Sequence, residues 1–493
     1  MRALGLRALD MLIDHVAAPS DSTPVPARTA GGAAALLRDQ PVPDAAVDDP
    51  AALLDELHLL LRDGNAHPDR PGFLAFVPSP GTFTGVLGAA LATGFAVPTG
   101  WRLTGPVASA IESATVGWLV ELLGLSEGTS GLFVPGGSLA NLTALTAARD
   151  ARAGEEPHRA TAYVSDQAHF SVRRALHVLG LGADRVRILP SDRAQRLSLA
   201  ALAERVGQDR RQGSCPFLVV ASAGTTATGA VDPLPELARF CAEEGLWLHV
   251  DGAYGAPAAL THRGRRALAG LGLADSVTVD AHKWLFQPAE TSCVLLREPA
   301  HLRRSFGVEL PSYLAADGTA PASGAQDDGV DFLQWGVQHT REFRALRLWL
   351  SLKTFGADAF RSAIDRGLDT AEEIARHIDA SPGLAVVTGP ALAVVTFRPL
   401  PRGPGPAPTP QEQDRAVDEV CRALMDEGHA LVMAVTVAGR RVFRLCTINP
   451  RIETAQLRRV VDHIGALWQT RTAAPPSRRP TPSGQARAEG TAG

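Results

Sequence analysis

The chain has 493 residues, of which 45% are hydrophobic and 20% charged, a balance typical of soluble globular proteins with two or three domains. The formal net charge of −4, with no basic segment interleaved with aromatic residues, argues against a nucleic-acid partner. Five scattered cysteines without CxxC or Cys/His spacing argue against a disulfide framework and against a metal site. No uninterrupted apolar run reaches membrane-spanning length, so we expect a cytoplasmic protein with no membrane partner.

The first 95 residues are predicted to be an N-terminal helical segment. Apolar residues recur near helical spacing over 1–17, which predicts an amphipathic helix that packs on a partner or on another domain. Residues 20–50 are rich in Pro, Ala and Asp and predict an extended arm. Helices are expected over about 51–63 and 80–98.

Residues 96–355 are predicted to form a large α/β domain. Short β-branched runs alternate with helical stretches, and this alternation favours a mainly parallel sheet with helices on both faces. The predicted strands lie near 162–165, 186–189, 216–222, 246–251, 276–280 and 292–296, with helices near 107–124, 169–179, 198–206 and 233–244.

The C-terminal part is predicted to be a smaller α+β domain over 356–470, followed by a disordered tail over 471–493. Residues 297–335 lack periodicity, so we predict no regular element there. The remaining predictions are helices near 341–355, 358–378, 412–427 and 453–468, and strands near 392–397, 430–436 and 441–446.

Lys283 lies in the apolar stretch from Ser276 to Phe286 and is one of only two lysines among 48 basic residues. Arginine stays charged, whereas a lysine amine can lose its proton and act as a nucleophile. A lysine kept in such a stretch therefore suggests covalent chemistry. The alternative is a strand-end lysine whose stem packs and whose ammonium reaches water.

Several polar residues follow predicted strands. Gly137 and Ser138 begin a predicted helix directly after a strand. The free backbone N–H groups at such a helix N-terminus can form an anion-binding site. The alternative is an ordinary capped helix, which has the same sequence pattern. The run 224–226, Asp251 and Lys283 also follow strand ends, and ligands of parallel sheets collect at that rim.

This set of groups matches a carbonyl cofactor that bears a phosphate. Lys283 would form the Schiff base, Asp251 would keep a ring nitrogen protonated, and His169 would lie over the ring face. Alternatively, Asp251 is a helix cap or a structural ion-pair partner and His169 is a core histidine with satisfied hydrogen bonds.

Four longer runs bear a family resemblance. They are Tyr163-Val-Ser-Asp-Gln-Ala-His-Phe-Ser-Val-Arg-Arg-Ala175, Ala223-Gly-Thr-Thr-Ala-Thr-Gly-Ala-Val-Asp-Pro233, Leu246-Trp-Leu-His-Val-Asp-Gly-Ala-Tyr-Gly255 and Asp280-Ala-His-Lys-Trp-Leu285. Together they resemble the group II pyridoxal-phosphate decarboxylases, which include aromatic L-amino-acid, glutamate and cysteine sulfinate decarboxylases. The resemblance implies a type I, aspartate aminotransferase-like fold, pyridoxal 5′-phosphate as cofactor, and a homodimer whose N-terminal helices wrap the partner.

The resemblance also implies a role for each matching residue. Lys283 would bind the cofactor aldehyde, Asp251 would pair with the pyridinium nitrogen, His169 would stack on the ring and Ala253 would form the opposite wall. Gly137, Ser138 and His282 would hold the phosphate, Thr226 would lie near the cofactor, and Phe76, Val77, Pro78, Ser79 and Trp101 would line the substrate pocket.

The reaction implied is decarboxylation of an L-amino acid to the amine and CO2. Phe76, Val77 and Trp101, without an obvious extra arginine, suit an aromatic or apolar substrate. Phe332 occupies the position of a loop tyrosine that commonly donates the final proton, and a phenyl ring has no acidic hydrogen. Decarboxylation-coupled oxidation to an aldehyde is therefore an alternative. A third reading is a cofactor-binding protein without catalysis, which the presence of Lys283, Asp251 and His169 disfavours.

Overall fold

The computed structural model describes residues 1–18, 23–25, 37–38, 40–154, 156–309, 329–400 and 408–473. Part of the arm predicted over 20–50 and the tail from residue 474 onward lie outside these ranges. The first three residues of the predicted tail are the end of a helix.

A seven-stranded sheet forms the centre of the larger part of the chain. Its strands are β1 (Ser130–Val134), β2 (Ala160–Ser165), β3 (Val186–Leu189), β4 (Cys215–Ser222), β5 (Trp247–Asp251), β6 (Ser276–Asp280) and β7 (Ser292–Leu296). They are ordered β1-β7-β6-β5-β4-β2-β3, and β7 runs antiparallel to both of its neighbours. The other pairings are parallel, which confirms the mainly parallel sheet predicted from the sequence.

Helices cover both faces of this sheet because both faces of its strands are apolar. The α-helices named in the described part of the chain are α1 (Arg2–Ala17), α2 (Pro50–Gly64), α3 (Phe83–Gly94), α4 (Pro106–Leu123), α5 (Gly137–Arg152), α6 (Phe170–Val178), α7 (Leu199–Arg211), α8 (Leu234–Glu243), α9 (His262–Ala267), α10 (Ala300–Phe306), α11 (Ala345–Ala380), α12 (Pro410–Asp426) and α13 (Thr454–Ala473). One core cluster joins the sheet to α4, α8 and α11, and a second joins it to α5, α6 and α10.

A four-stranded antiparallel sheet forms the smaller part. Its strands are β8 (Leu384–Ala391), β9 (Val394–Pro399), β10 (Met433–Val437) and β11 (Arg440–Cys446), in the order β10-β11-β9-β8. A third core cluster packs this sheet against α12, α13 and the second half of α11. The α+β character predicted for this region is confirmed, while the predicted domain boundaries stay a prediction.

Three local predictions are wrong. Residues 297–335 were expected to hold no regular element, yet the described part of that range contains α10 and a short 3-10 turn at Phe332–Gln334. Strand β8 was not predicted, because its sequence reads Leu-Ala-Val-Val-Thr-Gly-Pro-Ala and ends in helix- and strand-breaking residues. The helix predicted from 341 begins only at Ala345, whereas the break predicted between 355 and 358 is confirmed, because the non-helical backbone of Gly356, with φ +71°, separates the two halves of α11.

Helices α1 and α2 lie on the surface of the protein, and neither contains a buried residue. An Arg7–Asp55 ion pair joins them. The buried Arg70 side chain donates to the carbonyl oxygens of His15 (3.1 Å) and Ala18 (3.3 Å), which fixes the end of α1 on the segment after α2. The apolar faces of both helices therefore remain open to another surface.

Helix α4 is the one described helix that is long and apolar enough to cross a membrane by length and composition. It packs in the first core cluster through Val116, Leu119 and Leu123. Its buried Glu112 forms an ion pair with Arg341 (2.6 Å) and accepts the backbone N–H of Phe133 at 2.9 Å. These contacts tie α4 to β1 and to the segment before α11.

The Glu112–Arg341 pair allows a test of the fold. Glu112→Gln leaves a buried guanidinium without its counter-charge, and breaking such a pair costs about 3–5 kcal/mol. We expect a clearly lower midpoint in chemical denaturation followed by circular dichroism. Glu121→Gln, an exposed position on the same helix, is the matched control and should leave the midpoint within error. Equal midpoints for the two variants would contradict the structural role of the pair.

Candidate active site

A cavity of about 270 Å³ opens at the carboxyl ends of β4, β5 and β6, as the strand-end residues predicted. Its lining residues come from five separate parts of the chain, which parallel strands bring to one rim. They are Gly136, Gly137, Ser138, Asn141, His169, Ser171, Ser222, Gly224, Thr225, Thr226, Asp251, Ala253, Tyr254, Asp280, His282 and Lys283. The structure thus brings together Lys283, the predicted groups that flank the cofactor ring and the predicted phosphate seat.

Lys283 lies in a tight turn directly after β6. Its backbone N–H donates to the carbonyl of Asp280 at 3.0 Å, and the backbone N–H of Phe286 donates to the carbonyl of Lys283 at 3.2 Å. The next side chain, Trp284, is fully buried and stacks on Tyr254 with ring centroids 5.3 Å apart. Because Trp284 anchors the turn in the core, the Lys283 side chain is directed toward the cavity.

The Lys283 ammonium is held by a carboxylate that the sequence did not single out. Nζ lies 2.9 Å from Oδ2 of Asp280, whose other oxygen accepts the Ser292 hydroxyl at 2.6 Å. Burial by itself lowers the pKa of Lys283, but the charge and hydrogen bond of Asp280, with a further contribution from Asp251, outweigh it and raise the pKa. Without an aldehyde at the site, this amine is protonated at neutral pH.

Asp251 ends β5 and receives two N–H donors. Oδ1 accepts the backbone N–H of Ala253 at 3.2 Å, and Oδ2 accepts the Asn141 side-chain amide at 3.1 Å. This excludes the reading of Asp251 as an ion-pair partner of an arginine in this cavity, since its hydrogen bonds come from neutral groups. An anionic oxygen held at a cavity wall can stabilise a positive charge on a bound group.

His169 is the N-cap of α6. Its Nδ1 lies 2.7 Å from the Ser171 hydroxyl and 3.3 Å from the Ser171 backbone N–H, so Nδ1 accepts and Nε2 carries the proton of the neutral ring. Burial lowers the pKa of His169, and the positive charge of Lys283 adds to that effect against the opposing charge of Asp251. The imidazole is therefore neutral and lines the same cavity as Lys283 and Asp251.

The predicted anion seat lies at the start of α5. The helix begins at Gly136 without a side-chain cap, so its first N–H groups face the cavity. A Cβ at Gly137 would lie 2.8 Å from both carboxylate oxygens of Asp280, which leaves no room for a side chain there. Ser138 and His282 lie beside this helix end on the cavity wall.

These residues fit pyridoxal 5′-phosphate. The uncapped helix end can bind its phosphate, the side-chain-free surface at Gly137 permits close approach, and a lysine amine and a carboxylate face the remaining space. Thr226 and Ala253 also line the cavity, as predicted. The donor set therefore suits an aldehyde-bearing aromatic phosphate better than a metal ion.

The predicted substrate residues lie outside this cavity in the single chain. Phe76 is close to it, since Arg444 donates to the carbonyls of Phe76 (2.6 Å) and Thr226 (2.8 Å), but the Phe76 ring is 58% exposed. Trp101 lines a separate cavity of about 400 Å³. Val77, Pro78 and Ser79 follow Phe76 and line neither cavity among the described residues.

Phe332 is also placed elsewhere. It is 1% exposed, packs in the second core cluster, and lies over the Arg341 guanidinium with the charged carbon 5.0 Å from the ring centroid. Trp335 contacts the ring edge-on at 5.9 Å. Within one chain, the side chain that motivated the aldehyde alternative is therefore a packing residue of the large sheet and not part of the Lys283 cavity.

Sequence reasoning missed two residues that the cavity uses. Asp280 stands three residues before Lys283, a spacing that could have indicated their contact at the end of a strand. Asn141 lies one turn into α5, and its contact with Asp251 joins positions 110 residues apart, which no local pattern reveals.

Comparisons with known proteins agree with this geometry. Residues 35–399 match the model of the pyridoxal-dependent decarboxylase conserved domain. The chain is 40% identical over 468 residues, 95% of both chains, to an aromatic-L-amino-acid decarboxylase of Bacillus atrophaeus. It is 28% identical over 446 residues, 87% of both chains, to a phenylacetaldehyde synthase of Arabidopsis thaliana.

A solved structure of Oryza sativa TDC with PLP and tryptamine superposes with a TM-score of 0.88 at 26% identity, covering 95% of this chain and 98% of that one. Mouse CSAD in its apo form gives a TM-score of 0.85 at 24% identity, over 94% and 98% of the two chains. The second likeness concerns the fold alone.

The Lys283–Asp280 pair leads to a prediction with a defined sign. Asp280→Asn removes the charge that raises the pKa of Lys283, so burial then lowers that pKa and more of the amine is neutral at pH 7. Binding of pyridoxal phosphate to the apoprotein, followed by stopped-flow absorbance, should become faster, by about tenfold for each unit that the pKa falls. The gain should shrink as the pH rises toward the wild-type pKa. A pH-independent gain would instead assign the effect to repulsion of the phosphate by Asp280.

Proposed function

Because the chain belongs to the pyridoxal-dependent decarboxylase family and is a pyridoxal 5′-phosphate-dependent carboxy-lyase, we propose that it releases CO2 from an aromatic L-amino acid and forms the corresponding amine. The observation that carries the proposal is one cavity that holds a half-buried lysine amine, a carboxylate and an uncapped helix end. The substrate class is supported by the relative from Bacillus atrophaeus.

Each side chain of the cavity has a distinct task in this proposal. The cofactor supplies an aldehyde that condenses with amines and a ring that withdraws electrons from the bond to be broken. The Lys283 amine would hold the cofactor through its aldehyde. Asp251 would pair with the ring nitrogen and hold its positive charge, and the Nε2–H of neutral His169, which lines the same cavity, could donate a proton after CO2 has left.

The phosphate is assigned to the first N–H groups of α5 with Ser138 and His282. Gly137 lets the phosphate approach the helix end, where the aligned peptide dipoles favour negative charge. Thr226 and Ala253 form the remaining walls. These phosphate contacts would hold the cofactor in the cavity independently of Lys283.

The oxidative alternative is not favoured. It rests on Phe332 at the position of a proton-donating tyrosine, yet that ring is buried on Arg341 rather than directed into the cavity. A phenylacetaldehyde synthase is among the relatives, but its identity to this chain is 28%, against 40% for the decarboxylase.

We also propose a homodimer in the cytoplasm. Exposed apolar side chains on α1 and α2, such as Leu6 and Ile13, and others around the Trp101 cavity, such as Phe95 and Leu103, suit a second copy of the chain. The partner would complete the substrate pocket that one chain leaves open. All five cysteines lie in the described ranges as free thiols, which suits a reducing compartment.

The reaction is tested by a product assay. Purified holoprotein is incubated with a panel of amino acids, and CO2, amine, aldehyde, peroxide and oxygen uptake are measured. We expect one amine per CO2 with aromatic substrates and no oxygen uptake, and Lys283→Ala should lose both turnover and the visible absorption of the bound cofactor. Lys353→Ala is the control, because it removes the only other lysine. Peroxide and aldehyde in the wild type, converted to amine by Phe332→Tyr, would establish the oxidative alternative.

The dimer is tested on α1. Leu6→Asp combined with Ile13→Asp places two charges on its apolar face, two turns apart, and we expect the sedimenting mass to fall from twice to once that of the chain. Asp14→Asn, an exposed polar position on the same helix, should leave the mass unchanged. A wild type that sediments as a single chain would contradict the proposal.

A further inference from the structure

A chain of buried side chains runs beneath the cavity, from the middle of β5 to the start of α5. The Trp247 indole N–H donates to the Ser276 hydroxyl oxygen at 2.8 Å, and the same oxygen lies 2.8 Å from Nδ1 of His249. Nε2 of His249 lies 3.0 Å from Oδ1 of Asn141, which also accepts the Thr278 hydroxyl at 2.7 Å. All five side chains are at most 2% exposed.

The direction of every hydrogen bond in this chain is fixed. The Asp251 carboxylate only accepts, so the Asn141 NH2 group faces it and Oδ1 of Asn141 faces Nε2 of His249. In the neutral imidazole, Nδ1 of His249 is then the acceptor of the Ser276 hydroxyl hydrogen, while the Ser276 oxygen accepts the Trp247 indole N–H. Nε2 must then carry the proton of the neutral imidazole and donate to Oδ1 of Asn141. Burial lowers the pKa of His249 to about 4, so this neutral tautomer persists through the physiological range.

The Asn141 amide connects this hydrogen-bond chain to the residues that line the cavity. With Oδ1 occupied by two donors, its NH2 group faces Oδ2 of Asp251 at 3.1 Å and the Ser171 oxygen at 3.1 Å. The Ser171 hydroxyl then donates to Nδ1 of His169 at 2.7 Å. A reversed amide would set Oδ1 against the Asp251 carboxylate and NH2 against the His249 N–H, so only one orientation satisfies all partners.

We propose that this hydrogen-bond chain, which we call the Trp247–Asn141 relay, positions both groups that flank the cofactor ring. Through one hydrogen of the Asn141 amide it holds the Asp251 carboxylate, and through the other it sets the Ser171 hydroxyl and hence the tautomer of His169. Asn141, His249 and Ser276 are thus positioning residues for the decarboxylation, and they act without touching the substrate. The assignment rests on the proposed roles of Asp251 and His169.

The relay links the position of the Asp251 carboxylate to the protonation of the His169 ring. A ring nitrogen stays positively charged beside a fixed carboxylate, and the imidazole on the ring face keeps its proton on Nε2. One amide contributes to both effects, because its two hydrogens join the relay to Asp251 and to Ser171, beside the backbone N–H groups of Ala253 and Ser171. Loss of the relay is therefore expected to weaken cofactor binding and to disturb the spectrum of the bound cofactor together.

The test uses four variants of the full chain. Asn141→Asp replaces the donor by an acceptor and adds a like charge beside Asp251. His249→Leu and Ser276→Ala break the relay at two further points, and Ser276→Ala does so with little change in volume, which preserves folding. His249→Gln restores an acceptor and a donor at similar positions. Tyr163→Phe, which removes a buried hydrogen bond to Asp209 elsewhere in the same sheet, is the control.

Three readouts are measured: the Kd for pyridoxal phosphate by fluorescence titration of the apoprotein, the visible spectrum of the holoprotein against pH, and the separate values of kcat and KM. We expect a Kd about tenfold or more above wild type for Asn141→Asp and His249→Leu, and a smaller rise for Ser276→Ala. The same variants should show a pH-shifted spectrum and a lower kcat with little change in KM. His249→Gln should recover most of the affinity, and Tyr163→Phe should match wild type in all three.

The outcomes separate this proposal from the proposed function. If the wild type releases CO2 and binds the cofactor but Asn141→Asp and Ser276→Ala bind it equally well with unchanged spectra, the relay is overturned. If Tyr163→Phe shows the same losses, the effect is one of stability and the relay is again overturned. A wild type without cofactor binding or CO2 release would instead refute the proposed function.

Discussion

The ion pair between the Lys283 ammonium and the Asp280 carboxylate is the interaction on which the site depends. Removing an amine from water is costly unless a counter-charge lies in hydrogen-bond range, and here the strand that delivers Lys283 also delivers its partner, three residues earlier. The carboxylate is in turn held by Ser292 on the neighbouring strand and by the close approach of Gly137. The Lys283 amine is therefore protonated, and it lies next to the helix end where a phosphate is expected to bind.

The fold gathers these groups because parallel strands end at one rim. Lys283, Asp251 and Thr226 follow three adjacent strands, and α5 begins beside them after β1. Trp247 of the Trp247–Asn141 relay belongs to the second core cluster, and the side chains of the relay are at most 2% exposed. A polar network in such surroundings holds one arrangement, because any broken member would be left without water or another partner.

Arginine and lysine have different roles among the buried and half-buried cations described above. Buried arginines serve as structural clamps: Arg341 pairs with Glu112, Arg347 donates to the carbonyl of Glu290 at 2.8 Å, and Arg444 joins β11 of the smaller sheet to Phe76 and Thr226 at the cavity. The guanidinium suits this role because it stays charged and offers five donors in a fixed plane. A lysine is used where the chemistry requires an amine that can lose its proton.

The sequence by itself determined the mainly parallel sheet, the smaller α+β part and the identity of the site groups Lys283, Asp251, His169, Gly137 and Ser138. Those features depend on local periodicity and on strand ends, which a linear pattern records. The sequence pattern did not reveal strand β8, because its Gly-Pro-containing sequence is weakly strand-forming and is stabilised by pairing with β9. Tertiary structure alone decided that Asn141 reaches Asp251 across 110 residues, that Phe332 packs on Arg341 rather than in the cavity, and that Trp101 lies in a separate cavity. In each case the partner is brought close by packing between distant elements, and sequence spacing holds no information about such contacts.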